Sequence, residues 1–488
     1  MRLPVTAPHD RSVIGEIEAD DEAAIDAKVE AAAAAMTKWA ATSPMARAET
    51  LLRIVEAMRP EVPRLAQALS LEQGKTMKEA TLELERSIGP YVQYAGLAMN
   101  IGGRHVALGD GVEGVVEREP VGVVVGVVPW NFPVSLFVSK LAPALAAGCA
   151  FLIKPAETTS LITRELAAIA QRFLPPGLLD VVVGGPEVGS YLVSHPGIAR
   201  VTFTGSTPVG QAIAATAGVA LKRLSLELGG CDPFVVLDDA DLTRAVRSLM
   251  GTRFYNAGQV CVAPKRLIVH DAVADKMIDM VTQRMARIRV GPGQAPDSTM
   301  GPLHTEAARQ RLEEQVADAL DHGAEIVGGG RPDRADTERG SFVQPALLLA
   351  PPESARVRTE ETFGPVLTVL RVGSDDEAVR ISNQTPYGLG ASVWSADRDR
   401  ALSVARQIAA GYTWVNALGR VYDELPFGGV KASGFGREHG VEVLESYLED
   451  HTYVIGPGTS APIDRAQAAP PLAEPGSDVP DSIAGRNP

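Results

Sequence analysis

With 488 residues, 45% of them hydrophobic and 22% charged, the chain has a globular composition and room for about two to four domains, which sets aside disordered and fibrous classes. A formal net charge of -14 disfavours nucleic-acid and anionic-membrane partners, which need a basic face. Three cysteines, Cys149, Cys231 and Cys261, are an odd, scattered set that makes no disulfide framework and predicts a reducing, cytoplasmic home. The first residues, with Arg2, His9 and Asp10 and no apolar stretch, do not read as a secretory signal. The Ala-rich stretch from Ala23 to Ala41 predicts a helix, and Asp20, Asp21 and Glu22 before it suit the positive end of a helix dipole. Between Met99 and Glu119 two short strands are expected around Gly109, Asp110 and Gly111, forming an arm suited to meeting a neighbouring subunit. Apolar runs at 121–128, 149–154, 180–184, 201–203 and 233–237 then alternate with helical segments such as Thr159 to Phe173, closed by Pro175 and Pro176. Strands apolar on both faces and separated by amphipathic helices predict a parallel sheet covered on both sides. The longest apolar runs are broken by Gly, Pro and Lys140 and stay short of the roughly 20 residues of a membrane span. After Cys261 the alternation resumes, with strands at 266–270 and 365–372 and helices near 272–289 and 305–321, which predicts a second α/β domain. The tail from Gly456 to Pro488 is rich in Pro, Ala, Ser and Asp and is expected to be largely disordered.

Two Gly- or Lys-bearing turns are candidate ligand contacts. Phe203 to Gly210 (FTGSTPVG) follows a short strand and opens a helix, where backbone N–H groups can meet a phosphate. Its spacing is neither the ordinary dinucleotide fingerprint nor a Walker loop, since Gln211 follows Gly210, so a plain strand-to-helix turn fits it equally well. Lys154, Pro155, Ala156 and Glu157 follow another strand, at the carboxyl end where parallel sheets bind ligands. There Lys154 and Glu157 suit ribose hydroxyls, while a solvated Lys and a helix-start Glu are the plainer alternative.

Three residues carry candidate chemistry. Cys261 lies in a small, polar loop, Asn256 to Val262, unlike Cys149 in its apolar run, and a nucleophilic and a structural role stand level for it. Glu227 is flanked by Leu226 and Leu228; burial there would raise its pKa toward that of a general base, whereas an outward-facing strand residue fits the alternation too. The Asn131 amide, within PWNFP, is able to donate to an oxyanion or simply to make a turn. No His lies beside these segments in the sequence and no HExxH occurs, which disfavours a Cys-His hydrolase or a metalloenzyme; no metal is expected.

Taken together, PWNFP, KPAE, FTGSTPVG, LELGG, GQVC, EETFGPV and PFGGVKASGFGRE occur in the order of the aldehyde dehydrogenase superfamily, which the chain resembles from about residue 10 to 455. Glu227 and Cys261 also stand at the separation of that family's base and nucleophile. The resemblance implies an α/β fold with two Rossmann-type domains and a small β oligomerisation arm. It places a cofactor-binding domain at 1–101 and 121–229, a catalytic domain at 230–432, the arm at 102–120 and 448–457, a return helix at 433–447, and the tail at 458–488. It also implies Cys261 as nucleophile, Glu227 as general base, and Asn131 with the Cys261 N–H as oxyanion hole. Trp130, Lys154, Glu157, Gly205, Ser206, Gly210, Leu228, Glu361 and Phe363 match cofactor contacts. Glu157 opposes a 2′-phosphate and favours NAD, although the family accommodates NADP as well.

The resemblance further implies oxidation of an aldehyde to a carboxylate through a thioester, in a homodimer or homotetramer. Glu227 favours hydrolysis of that thioester over transfer to coenzyme A. Cys231, Val260, Val262, Pro264 and Ser139 depart from common family residues and bear on substrate. A tunnel lined by Phe132, Leu136, Tyr255, Val260, Val262 and Phe427 predicts a medium-sized apolar or aromatic aldehyde. GQVCVAPKR and the CDPF after LELGG are similar to semialdehyde-oxidising members, so succinic semialdehyde is the alternative substrate. A catalytically silent structural relative is the alternative class.

Overall fold

The computed structural model describes residues 1–457, so the expected tail from 458 onward lies outside the described residues. Within them the chain divides into two compact units, residues 1–101 with 118–449, and 102–117 with the segment from 450.

The first unit is built on two sheets. One has six strands in the order Gly434–Phe435, Arg223–Glu227, Arg200–Thr204, Val123–Val127, Ala150–Lys154 and Leu179–Val181. All its pairings are parallel except that of Gly434–Phe435, which runs antiparallel along Arg223–Glu227. The other has seven strands in the order Glu325–Gly328, Ala346–Leu349, Val366–Val372, Arg266–His270, Pro233–Val236, Gly390–Trp394 and Tyr412–Val415. It is parallel apart from the edge strand Glu325–Gly328. The central strands are buried along their whole length, as in Ala150–Lys154 and Gly390–Trp394, because helices cover both faces. Two largely parallel α/β sheets are thus present, as the expected fold class requires, and their strands fall within a residue or two of the apolar runs, apart from 180–184, of which only the start is strand.

Three helices position the site. Met77–Arg86 starts in a reciprocal capping box, the Thr76 hydroxyl accepting from the Glu79 N–H while Glu79 accepts from the Thr76 N–H. Pro133–Ala147 is buried on nearly all sides, including Ser139 and Lys140, because it lies beneath other helices. Thr207–Val219 starts at the carboxyl end of Arg200–Thr204, with Pro208 in its first turn.

One expectation needs correcting: residues 433–447 are not a helix. Gly434–Phe435 is an edge strand and only Gly440–Glu445 is helical, because His439 and Gly440 take positive φ (57° and 67°) and break the run. Arg104–Gly109 and Val112–Pro120, the latter running past the end of the second unit's first segment, form the expected antiparallel hairpin, turning at Asp110 and Gly111 with φ of 51° and 74°. Leu448–Ile455 completes a three-stranded sheet beside Val112–Pro120. No helix among the described residues is long and apolar enough to cross a membrane.

Candidate active site

Cys261 ends a loop whose backbone is forced into an unusual path. Asn256, Ala257 and Gly258 take successive positive φ values of 50°, 54° and 75°, which for the two non-glycine residues needs outside support. That support is a set of hydrogen bonds. The Asn256 N–H donates to Glu79 Oε1 (2.8 Å), its amide donates to the Asn131 carbonyl (3.0 Å), and Gln259 Nε2 donates to the Asn256 carbonyl (3.0 Å). Gln259 Oε1 accepts from the His304 N–H (2.8 Å). Asn131 Nδ2 donates to the Gln259 carbonyl (3.1 Å), which identifies the nitrogen of this amide and leaves it a second N–H to offer. The loop and the Asn131 segment therefore hold each other.

The helix Met77–Arg86 ties both together. Its Glu79 takes the Cys261 loop, and one turn later Glu83 Oε1 accepts the Val134 and Ser135 N–H groups (3.0 and 3.1 Å), capping Pro133–Ala147. Lys75, buried, is paired with Glu83, donates to the Asn131 carbonyl (2.9 Å) and lies 4.2 Å from the centre of the Phe132 ring.

Glu227 is the last residue of Arg223–Glu227 and is 3% exposed. Its charge acts on the Cys261 thiol, and its Oε1 is buried without a partner. Burial pushes this carboxyl up to about 8, and Glu438 adds to the rise while Lys140 opposes it. Beneath it Lys140 is paired with Glu438 and donates to Thr204 Oγ1 (2.7 Å), and Ser139 Oγ donates to Glu438 Oε2 (3.2 Å). Burial and the Glu227 charge push the Cys261 thiol upward, with the Lys265 ammonium opposing. Both shifts favour the protonated forms in the resting site, and a carboxyl at about 8 still leaves a fraction ionised at neutral pH to serve as a base.

A cavity of about 580 Å³ opens beside these groups, a size usual for a ligand site. It brings together Trp130, Asn131, Gly205, Ser206, Glu227, Leu228, Cys261, Glu361 and Phe363 from the expected set. The amino end of Thr207–Val219 opens onto it through Ser206, Thr207 and Pro208, presenting the positive end of a helix dipole. Glu361 accepts from the Gly230 N–H (3.3 Å) and lies 3.5 Å from Lys265. Trp130 meets the edge of Phe363 (5.7 Å).

Other expected residues lie apart from the lining. Lys154 is buried at the end of its strand, donating to the Pro155 carbonyl (3.2 Å), and burial lowers its ammonium against the pull of Glu157 and Glu187. Gly210 does not line the cavity: a Cβ there would fall 2.5 Å from the Leu228 side chain, so its smallness serves helix-to-strand packing. The expected tunnel residues are also outside the lining. Phe132 and Tyr255 stack (5.8 Å), Leu136 packs against the core, Val260 and Val262 flank Cys261, and Phe427 packs on Tyr412 (5.7 Å) and exchanges backbone hydrogen bonds with Glu438.

Sequence reasoning missed the charged residues that brace the site: Lys75, Glu79, Glu83, Lys140, Lys265 and Glu438. Two had a signal. Thr76 to Glu79 is a capping-box spacing, and Lys140 interrupts an apolar helix. Nor was His304 expected here. It stacks on Trp130 (4.6 Å), but burial lowers it to about 4 and its ring nitrogens lie against the Gln73 carbonyl and Thr158 Oγ1, so it braces the site as a neutral ring.

The chain is similar to known aldehyde dehydrogenases in sequence and fold. Aminoaldehyde dehydrogenase 2, peroxisomal, of Pisum sativum is 37% identical over 459 residues, covering 92% of this chain and 91% of the relative. Betaine aldehyde dehydrogenase of Brucella melitensis is 36% identical, covering 93% and 94%. The solved structure of betaine aldehyde dehydrogenase from Staphylococcus aureus in complex with NAD+ superposes with a TM-score of 0.92 at 31% identity, covering 95% of this chain and 93% of that one. The model of the aldehyde dehydrogenase family matches residues 1–453, and the chain belongs to that family.

Proposed function

We propose that the protein oxidises an aldehyde to a carboxylic acid with NAD(P), using Cys261 as nucleophile and Glu227 as base. The observation that carries this reading is that Cys261, Glu227 and Asn131, drawn from three separate segments, line one ligand-sized cavity. The sulfur gives its proton to the ionised fraction of Glu227 and bonds to the aldehyde carbon, the carbonyl π pair moves onto oxygen, and that oxyanion is met by the free Asn131 N–H and the backbone N–H of Cys261. Glu227 releases that proton to solvent and, after oxidation to the thioester, takes one from water. The water oxygen bonds to the acyl carbon, the C–S bond breaks, and the acid leaves.

The lining fits a dinucleotide. A helix amino terminus suits its diphosphate, Glu361 suits a ribose hydroxyl pair, and Trp130 and Phe363 supply flat apolar faces. When bound, the cofactor supplies the hydride acceptor. Lys154 and Glu157 would hold the second ribose, by the resemblance to the family, and Glu157 disfavours a 2′-phosphate, which supports NAD over NADP. The S. aureus relative was solved with NAD+. The six-stranded sheet is the cofactor side, the seven-stranded sheet carries the nucleophile, and the three-stranded arm serves assembly into a dimer or tetramer. Three free cysteines support a cytoplasmic home.

The apolar or aromatic substrate expected from the tunnel residues gains no support from the relatives, whose names carry aminoaldehyde or betaine aldehyde. The aromatic faces of Phe132, Tyr255 and Phe427 suit an ammonium group at least as well, through cation–π attraction. Lys75, the cation against Phe132, is already paired with Glu83 and is not free to meet a carboxylate-bearing aldehyde such as succinic semialdehyde. We therefore favour an aldehyde carrying an amino or quaternary ammonium group. The test is NADH appearance, followed by its absorbance, with betaine aldehyde, 3-aminopropanal, benzaldehyde and succinic semialdehyde. Higher kcat/KM for the cationic pair is expected, as is loss of turnover in Cys261→Ala. Preference for benzaldehyde defeats the substrate assignment, and turnover by Cys261→Ala defeats the mechanism.

A further inference from the structure

Lys265 stands four residues past Cys261, directly before the strand Arg266–His270, and its side chain is fully buried. Burying an ammonium is expensive unless its charge and donors are matched. Here they are. Nζ donates to the Val260 carbonyl (3.0 Å) and to the carbonyl of Cys261 itself, and lies 3.5 Å from Glu361 Oε1. The backbone of Lys265 is fixed on both sides, its N–H donating to the Asp232 carbonyl (3.0 Å) and its carbonyl accepting from the Thr368 N–H (3.0 Å). A fixed positive charge therefore sits under the turn that carries the nucleophile, and its acidic partner lines the cavity.

The other groups around it do not substitute for that charge. Arg266 is engaged by the Cys231, Ile381 and Ser382 carbonyls, whereas Arg253 donates through Nη2 alone to the Thr362 and Gly364 carbonyls, its Nε and Nη1 buried without partners and its charge acting on Glu361. Asp232 and Glu361 are the nearby acids, Cys231 is a buried thiol, and Glu227 approaches Cys261 from the six-stranded sheet. Of the charges acting on Cys261, Lys265 favours the thiolate, while Glu227 and Glu361 oppose it.

We propose that Lys265 is a positioning residue that couples Glu361 to Cys261, holding the nucleophile's backbone while Glu361 sets how much of the ammonium's field reaches the sulfur. The inference rests on the reading of Cys261 as nucleophile and Glu361 as a cofactor contact. A ligand hydroxyl that hydrogen-bonds Glu361 draws the carboxylate away from the ammonium, so engagement of the cofactor site favours the thiolate. Cofactor binding and nucleophile activation are then one event.

The test is the rate of alkylation by iodoacetamide against pH on the full chain, with the modified residue located at Cys261 by peptide mass spectrometry. Lys265→Met removes the favourable charge and is expected to move the midpoint up by about one pH unit, or roughly tenfold slower alkylation below it. Lys265→Arg keeps the charge and is expected to restore the rate to within about threefold. Glu361→Gln removes the opposing charge and is expected to move the midpoint down, the opposite direction. A purely structural role moves Lys265→Met and Glu361→Gln the same way. An unchanged midpoint in Lys265→Met, or a midpoint in Glu361→Gln that is unchanged or raised, overturns the coupling. Should Lys265→Met not fold, the sign of the Glu361→Gln shift decides alone. Full alkylation of Cys261 that leaves turnover intact instead defeats the assignment of the nucleophile, a result independent of the shifts.

Discussion

Replacing Glu227 by Gln is expected to make the protein more stable at alkaline pH while removing its hydrolytic step. The carboxyl is buried, its Oε1 has no partner, and burial with the nearby Glu438 raises it to about 8 from an ordinary 4.5. Between those values the folded chain keeps a proton that the unfolded chain has lost. Stability from this group is therefore complete below about pH 4.5, falls as pH rises, and levels off above about 8. At roughly 1.4 kcal/mol per pH unit the ceiling of the effect is ~5 kcal/mol, and compactness of the unfolded chain reduces it. Glutamine does not titrate, so the stability difference between variant and wild type should grow across that window and stay flat beyond it. Urea unfolding midpoints of both proteins at pH 5, 6, 7 and 8.5, conditions chosen to span about that window, measure it directly. In the same variant, a burst of NADH followed by turnover slower by about 10²- to 10⁴-fold marks a stalled thioester. Parallel pH dependence in the two proteins refutes the buried, proton-holding carboxyl, and normal steady-state turnover refutes its role as base.

The fold was legible where burial is two-sided. Runs such as 121–128 and 149–154 are apolar throughout because helices cover both faces of their sheets, and the strands lie where the runs are. The hairpin at Asp110 and Gly111 was legible because the turn needs residues that tolerate positive φ. The segment 433–447 was not, since its helix is cut short by local backbone conformation at His439 and Gly440, which has no periodic signature. At the site, Cys261, Glu227 and Asn131 stood out by motif and line a common cavity, with Asn131 hydrogen-bonded to the Cys261 loop at Gln259. The braces were hidden for a physical reason: Glu79 and Glu83 carry the i, i+4 spacing of ordinary surface charges on a polar helix. Only tertiary packing turns that face inward and sets each carboxylate against backbone N–H groups of a different segment.

Two further perturbations test this bracing. Glu83→Gln breaks the buried pair with Lys75 and is expected to lower stability by about 3 to 5 kcal/mol in urea unfolding, with Lys75→Met added to it recovering part of the loss. Gly258→Ala probes the path of the nucleophile loop. At φ of 75° a Cβ would fall 2.3 Å from the Gly364 carbonyl oxygen and 2.6 Å from its carbon, both of them backbone. Arg253 holds the Gly364 and Thr362 carbonyls, so that segment cannot retreat and the 256–261 loop must move instead. A displacement near ~1 Å at a reacting atom costs about 100-fold in rate, and kcat/KM should fall by that order. Gly251→Ala is the control, because its added Cβ meets nothing within 4 Å on a helix and should leave activity unchanged. Wild-type activity in Gly258→Ala would mean that the strained loop does not determine where the sulfur lies.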